Sequence, residues 1–269
     1  MTVKMNMNIQ HYPGARAITL GCLFVLYAPL VVISIYSFNS LRSITTWGGF
    51  TFDWYIKAFN NPSIQSATVN SLSIALTASC IATAIATCAA MALLRGGPFR
   101  GQTALFGVLN LPLMIPEIVT AVASLVFFIA IDMTLGLGSI LIAHTVFCIP
   151  FAYLPISARL NSISQQYDDA ARDLYASRWA SFRYVTLPML MPGVISGLML
   201  AFIVSMDDFI VANMVAGPGA TTLPMTIYSL VRIGFTPEIN AVSTLLLLLS
   251  MLCVGSSWLL NRADHNTKS

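Results

Sequence analysis

Long apolar segments are the feature that most limits what this chain can fold into. Six such segments lie at about 17–38, 66–94, 103–131, 139–160, 187–214 and 240–260. Several exceed the roughly 18 residues that indicate a membrane-spanning helix. Hydrophobic residues make up 57% of the chain and charged residues 9%, against about 25% charged residues in an ordinary soluble domain. We therefore expect an all-α integral membrane protein rather than a soluble helical bundle.

The first segment is too long for the apolar part of a signal peptide, so it is interpreted as an uncleaved span.

The distribution of positive charge predicts the orientation. Six spans place both termini on one side, and Lys and Arg concentrate in cytoplasmic loops. The side of the termini carries Lys4, Arg16, Arg95, Arg100, Arg159, Arg172, Arg178, Arg183, Arg262 and Lys268, whereas the other side carries Arg42, Lys57 and Arg232. Both termini of this multi-pass membrane protein are therefore predicted to be cytoplasmic. No internal repeat is visible, so residues 1–269 are predicted to form a single transmembrane domain.

The cysteines and histidines do not suggest a metal or cofactor site. Cys22, Cys80, Cys88, Cys148 and Cys253 lie in apolar segments without a CxxC pair, which is typical of small buried residues. His11, His144 and His265 are far apart in the sequence. We expect neither a metal nor a cofactor in this chain. The formal net charge of +3 is too small to indicate a nucleic-acid partner.

Three carboxylates in apolar segments are the most informative polar residues. Glu117 follows Pro116, and Asp207 and Asp208 are adjacent in the fifth segment. A carboxylate at membrane depth costs at least about 2.5 kcal/mol and is normally turned to a wet cavity or a cation. No intramembrane Lys or Arg is evident as a partner, which favours a cationic solute. Hydration at the end of a span is the alternative. Pro112 and Pro116 predict that the third span is kinked and lines a pore.

The segment from about 161 to 187 is the most polar stretch between spans. It interleaves charge with apolar residues such as Leu174 and Phe182. This pattern fits a short amphipathic helix on the membrane surface, a helix docked on a cytoplasmic partner, or a solvated loop. Composition alone does not choose among the three.

The same segment resembles the "EAA" loop of bacterial ABC importer permeases. Residues 169–174, 186–188 and 192–193 match its spacing without gaps. Similarity to the spermidine/putrescine branch, and most to the second of its two permeases, extends over segments 52–55, 115–119, 205–209, 217–225 and 237–241.

This resemblance implies a type I ABC importer transmembrane domain with six spanning helices and cytoplasmic coupling helices. The coupling residues would be Asp168, Asp169, Ala170, Ala171, Asp173, Leu174, Tyr175 and Ala176. The solute path would include Trp54, Glu117, Asp207 and Asp208, where an aromatic face adds cation–π attraction. For Trp54, an anchor at the membrane interface is an equal alternative.

The resemblance also implies the partners. They are a second permease that completes a heterodimer, two copies of a cytoplasmic ATPase that bind ATP and Mg, a periplasmic substrate-binding protein, and membrane lipid. The chain contains no GxxxxGK[ST] loop, so it does not hydrolyse ATP alone. We expect a transport subunit rather than an enzyme.

Two residues depart from the family pattern. Asp169 replaces the usual glutamate, and Asp168 is a possible substitute for it. Tyr175 stands where the family has glycine. Glycine serves where φ is positive or backbones approach closely, so the turn between the coupling helices is expected either to be strained or to differ.

The expected activity is import of a polyamine-like or other cationic solute. The same machine importing an opine or an amino-acid derivative is the alternative. A stand-alone channel or proton-coupled carrier, with Glu117 and Asp207 as a relay, is a more remote possibility, because it leaves the coupling segment unexplained.

Overall fold

The computed structural model describes residues 14–43, 46–233 and 237–266. Lys4, His11 and Lys268 from the sequence predictions lie outside these residues, and the side chains of Cys253, Arg262 and His265 are likewise outside the description. The described residues are helical, with one isolated antiparallel bridge between Asn39 and Phe50.

Twelve α-helices follow one another through the described residues. They are α1 (Ala15–Tyr36), α2 (Asp53–Asn60), α3 (Pro62–Arg95), α4 (Gln102–Met114), α5 (Glu117–Ala130), α6 (Leu137–Ser162), α7 (Gln166–Asp173), α8 (Arg178–Ser181), α9 (Leu187–Asp207), α10 (Ile210–Val215), α11 (Leu223–Ile233) and α12 (Pro237–Asn266). A π-helical turn, Phe182–Thr186, joins α8 to α9. Helices α2 and α11 lie in the connectors between the first and second and between the fifth and sixth apolar segments.

Four helical stretches of the described chain are long and apolar enough to cross a membrane. They are α1, α3, α6 and the continuous stretch Arg178–Asp207. Helices α4 and α5 together make a fifth candidate, and α12 contributes a shorter apolar stretch, Pro237–Leu252. The protein is thus an all-helical membrane protein with four to five apolar spans, and the count of six stays a prediction.

The third predicted span is broken rather than kinked. Helices α4 and α5 meet at an angle of 111°. Ile115 has an extended backbone, with φ −94° and ψ 137°, because the ring of Pro116 disfavours the helical conformation in the residue before it. Pro116 is itself extended, with ψ 133°, so α5 begins anew at Glu117.

The fifth predicted span also ends early. Helix α9 stops at Asp207, and Asp208 has an extended backbone with ψ 124°. The short helix α10 starts two residues later, so residues 208–215 are not a continuation of α9. Each of the two breaks therefore has a carboxylate residue beside it.

Helices α3, α6 and α9 pack together and form the centre of the bundle. The buried face of α3 is built from Ala75, Ala78, Ala82 and Ala86, each without exposed surface. Small side chains allow helices to approach closely where lipid supplies no hydrophobic driving force. The small residues of α3 are therefore the reason that it lies inside the bundle. Helix α1, in contrast, lies at the edge with its apolar surface exposed.

Candidate functional site: a buried carboxylate cluster

A close contact between Asp208 and His144 lies at the centre of the site. Asp208 Oδ2 is 2.8 Å from His144 Nε2, and each side chain is only 2% exposed. The contact joins an imidazole to a carboxylate and is an ion pair when the ring is protonated. A buried carboxylate is normally found with such a partner.

The other ring nitrogen of His144 holds the imidazole in place. Nδ1 lies 2.8 Å from the hydroxyl oxygen of Ser205, one turn before Asp208 on α9. Both groups are buried, and His144 belongs to α6. Two contacts to two nitrogens leave the ring little freedom to rotate.

The Asp208 carboxylate also accepts two hydrogen bonds from amides in the first turn of α10. Its Oδ1 accepts a hydrogen bond from the Val211 amide at 3.1 Å, and its Oδ2 accepts one from the Ala212 amide at 3.2 Å. These amides have no partner inside their own helix, and a carboxylate is a good acceptor for them. The position of the Asp208 carboxylate is therefore determined by the start of α10 as well as by His144.

Glu117 brings a second carboxyl group into the cluster. It is the first residue of α5, half-buried, and its carboxyl group interacts electrostatically with that of Asp208. Helices α5 and α10 pack against each other, which joins the two chain breaks. Asp207, by contrast, is exposed at the end of α9. The two adjacent aspartates therefore have different surroundings, because the helix ends between them.

His144 is the site residue that the sequence reasoning missed. From the sequence, His144 is a possible metal ligand only, because Lys and Arg are the expected partners of a carboxylate within a span. The positions of the two residues within their spans could have indicated the pairing. His144 lies about two turns from the start of α6, and Asp208 follows the last residue of α9, which packs against α6.

Trp54 is placed in a different part of the chain, near the start of α2. It is 5% exposed, and its indole Nε1 donates a hydrogen bond to the Asn39 carbonyl at 2.7 Å. Lys57 Nζ lies 4.4 Å from the ring centre, and the Arg42 guanidinium carbon lies 5.9 Å from it. Within the described residues, no hydrogen bond or ion pair joins Trp54 to the carboxylate cluster. Its role in the solute path stays a prediction.

The predicted coupling segment forms two short helices, α7 and α8. The side chain of Asp168 in α7 is held by contacts within the protein. Its Oδ1 accepts hydrogen bonds from Thr186 Oγ1 at 2.7 Å and from Ser181 Oγ at 3.2 Å. Its Oδ2 forms an ion pair with Arg95 Nη1 at 3.3 Å. Ala171 is buried and Ala176 is half-buried. The residues that face outward are Asp169, Ala170, Asp173, Leu174 and Tyr175.

Tyr175 keeps the backbone conformation that the family's glycine would have. Its φ is +59°, in the left-handed region. The Tyr175 amide donates to the Arg172 carbonyl at 2.8 Å, and the Ala176 amide donates to the Ala171 carbonyl at 3.0 Å. These two bonds form a Schellman motif, which usually has glycine at this position. The turn is therefore retained with a strained tyrosine, and the ring is 98% exposed.

Residues 82–268 match the model of the family described as "Binding-protein-dependent transport system inner membrane component". The chain belongs to this family. It is the permease subunit of an ABC importer, a transport component and not an enzyme. Such a subunit works in the inner membrane with a partner permease, an ATPase and a substrate-binding protein.

Among curated proteins, the chain is similar to polyamine permeases over most of its length. It is 39% identical to the putrescine transport system permease protein PotI of Escherichia coli K12, with 90% of this chain and 88% of PotI covered. It is 40% identical to the spermidine/putrescine transport system permease protein PotC of the same strain, with 88% and 89% covered. For PotC of Haemophilus influenzae the identity is 39%, with 90% and 93% covered.

Solved structures of ABC importers share the fold. The MetNI methionine ABC transporter superposes with a TM-score of 0.63 at 20% identity, covering 76% of this chain and 98% of that one. A bacterial ABC transporter that imports the acidic polysaccharide alginate gives 0.66 at 15% identity, covering 92% and 94%. At these identities the likeness concerns the fold alone.

Proposed function

We propose that this permease forms half of the translocation path for a polyamine-like or other cationic small solute. The supporting observation is the cluster of Glu117 and Asp208 at two helix breaks, with the exposed Asp207 beside it. A cluster of acids inside a membrane protein normally faces a cation or a wet path. The permeases at 39–40% identity are named for putrescine and spermidine, whose ammonium groups match these carboxylates in charge.

Glu117 is the carboxylate best placed to meet the solute. Asp208 is almost completely buried and already bonded to two amides and His144. Glu117 is only half-buried, and its carboxyl group interacts electrostatically with that of Asp208. Of these two interacting carboxylates, Glu117 is therefore the more accessible to a solute.

The proposed assembly follows the type I importer plan. The chain would span the membrane six times with both termini in the cytoplasm, pair with a second permease, and bind two ATPase copies that hold ATP and Mg. The outward-facing residues of α7 and its C-terminal turn, which include Asp169, Leu174 and Tyr175, would dock on the ATPase. Their exposure in the single chain is consistent with a partner surface.

The test is ATP-driven uptake of labelled putrescine and spermidine by the complex reconstituted with its ATPase and binding protein. We expect Glu117→Gln and Asp207→Asn to reduce uptake at least about tenfold, because each removes a charge that a bound ammonium group would contact. Asp132→Asn is the matched control: Asp132 is an exposed acid with φ +52°, which asparagine tolerates. Unchanged uptake in Glu117→Gln and Asp207→Asn would remove these residues from the path.

A zwitterionic solute such as an opine or an amino-acid derivative is the second candidate. Lys57 and Arg42 beside the ring of Trp54 provide positive charge that a solute carboxylate could use. Titration of the cognate binding protein with diamines and with amino-acid conjugates separates the two candidates. Solute movement by this chain alone, without ATP or partners, would instead establish a channel or a proton-coupled carrier.

A further inference from the structure

Four polar side chains form a continuous row through the bundle. The row begins at the Ser205 hydroxyl, passes through His144 and Asp208, and ends at Glu117. The first three are buried and the last is half-exposed. The row therefore connects a fully enclosed histidine to the more accessible of the two interacting carboxylates.

The contact between Glu117 and Asp208 needs a positive charge or a proton. Two carboxylates in contact repel each other when both are ionised, and such a pair holds a single proton unless a cation compensates. A pair that holds a proton has lost much of its attraction for an ammonium group. His144, 2.8 Å from Asp208, is the candidate for this compensation within the described part of the bundle.

We propose that His144 is a positioning residue for solute recognition, which acts through Asp208. It keeps Asp208 in its ionised form from the buried side, so that the Asp208–Glu117 pair is free to bind one ammonium group in place of a shared proton. The inference rests on the proposed cation path and adds a residue to it. His144 itself does not touch the solute.

The competing explanation is that His144 only fills space in the core. Both explanations predict a less stable protein when His144 is replaced. They differ in what the replacement does to Asp208: a core-filling residue acts independently of the Asp208 charge, whereas a counter-charge has nothing to act on once Asp208 is neutral.

The test compares His144→Gln, Asp208→Asn and the double variant in the reconstituted complex with saturating loaded binding protein. The readout is the number of putrescine molecules imported per ATP hydrolysed, which does not depend on the amount of assembled complex. We expect His144→Gln to lower this ratio about tenfold while ATPase activity persists. We expect the double variant to equal Asp208→Asn alone, since His144 acts through Asp208.

Thr145→Val is the matched control on α6. Thr145 is buried next to His144, and its hydroxyl donates only to the Leu141 carbonyl of its own helix at 2.7 Å. This variant should leave the ratio unchanged. If the complex with His144→Gln does not assemble, Ser205→Ala takes its place, because it removes only the hydroxyl that holds Nδ1. We expect Ser205→Ala to lower the number of putrescine molecules imported per ATP by roughly two- to fivefold.

The inference is overturned if His144→Gln leaves the ratio of putrescine to ATP unchanged, or if Ser205→Ala does so when it is used in its place. It is also overturned if the losses of His144→Gln and Asp208→Asn multiply in the double variant. Failure of the proposed function gives a different result, because the wild-type complex would then import neither putrescine nor spermidine. In that case the same ratio is measured with the solute that the binding protein delivers, and an unchanged ratio overturns the role of His144 for that solute.

Discussion

Arg95, the last residue of α3, forms an ion pair with Asp168 in the first turn of α7, with Nη1 and Oδ2 3.3 Å apart. The same guanidinium donates through Nη2 to the Ile163 carbonyl at 2.6 Å. Asp168 in turn bonds to Ser181 and Thr186. One spanning helix, the end of α6 and the coupling segment are thereby fastened at a single point.

Asp168→Ala should loosen this attachment. The pair is mostly shielded from water, with side-chain exposures of 9% and 18%, so we expect a loss of about 2 kcal/mol in the free energy of unfolding. Thermal melting of the purified permease complex measures it. Asp169→Ala, at the exposed neighbour, should melt like the wild type but co-purify with less ATPase. Equal melting of the two variants would contradict this assignment.

Tyr175→Gly should make the permease more stable. A side chain in the left-handed conformation costs about 1–2 kcal/mol, and glycine avoids most of that strain. The unfolded chain gains freedom with glycine, so we expect a net increase near 0.5 kcal/mol. Tyr175→Ala removes the same ring but keeps the strain, so it should melt at or below the wild-type temperature. Equal melting temperatures for Tyr175→Gly and Tyr175→Ala would show that the backbone at position 175 is not strained.

Gly197→Ala should disrupt the contact between α9 and α6. A Cβ at this position would lie 2.7 Å from the Ala152 carbonyl oxygen and 3.1 Å from Ile156 Cδ1. Because backbone cannot yield as a flexible side chain does, we expect about 1–3 kcal/mol of destabilisation. Gly107→Ala is the control, since nothing lies within 4 Å of its added methyl group and alanine favours a helix. A harmless Gly197→Ala would mean that the helices are farther apart.

Trp54→Phe separates the two interpretations of that residue. Phenylalanine keeps an aromatic face but loses the Nε1 hydrogen bond to the Asn39 carbonyl. The structure favours a loss of about 1 kcal/mol in stability with uptake per ATP retained. Trp54→Leu removes the aromatic face as well. If uptake falls in Trp54→Leu only, and stability is equal in both, the ring contacts solute.

The apolar segments predicted the membrane class and most of the long helices, because hydrophobic length alone determines which stretches can cross a bilayer. They did not predict the breaks. Pro116 was recognised, yet an α4–α5 angle of 111° depends on how α5 packs against α10. The end of α9 was missed because Met206 and Phe209, on either side of the aspartates, continue the apolar pattern.

The carboxylates of the site were named from the sequence, since acids are rare in spans. Their partner was not, because the pairing of His144 with Asp208 joins residues 64 positions apart and depends on the packing of α6 against α9. Similarly, the inward role of Asp168 follows from Arg95 and Thr186, which no local pattern connects to it.

Asp208 has two roles, because its carboxylate accepts hydrogen bonds from the first turn of α10 and is also a charge in the proposed path. These two roles together limit how such a transporter can change its cargo during evolution. Loss of the carboxylate would remove the start of a helix along with the charge, so the acid persists even when the cargo no longer needs it. New preferences arise more easily at Glu117 and Asp207, which no helix start in the described structure depends on in this way.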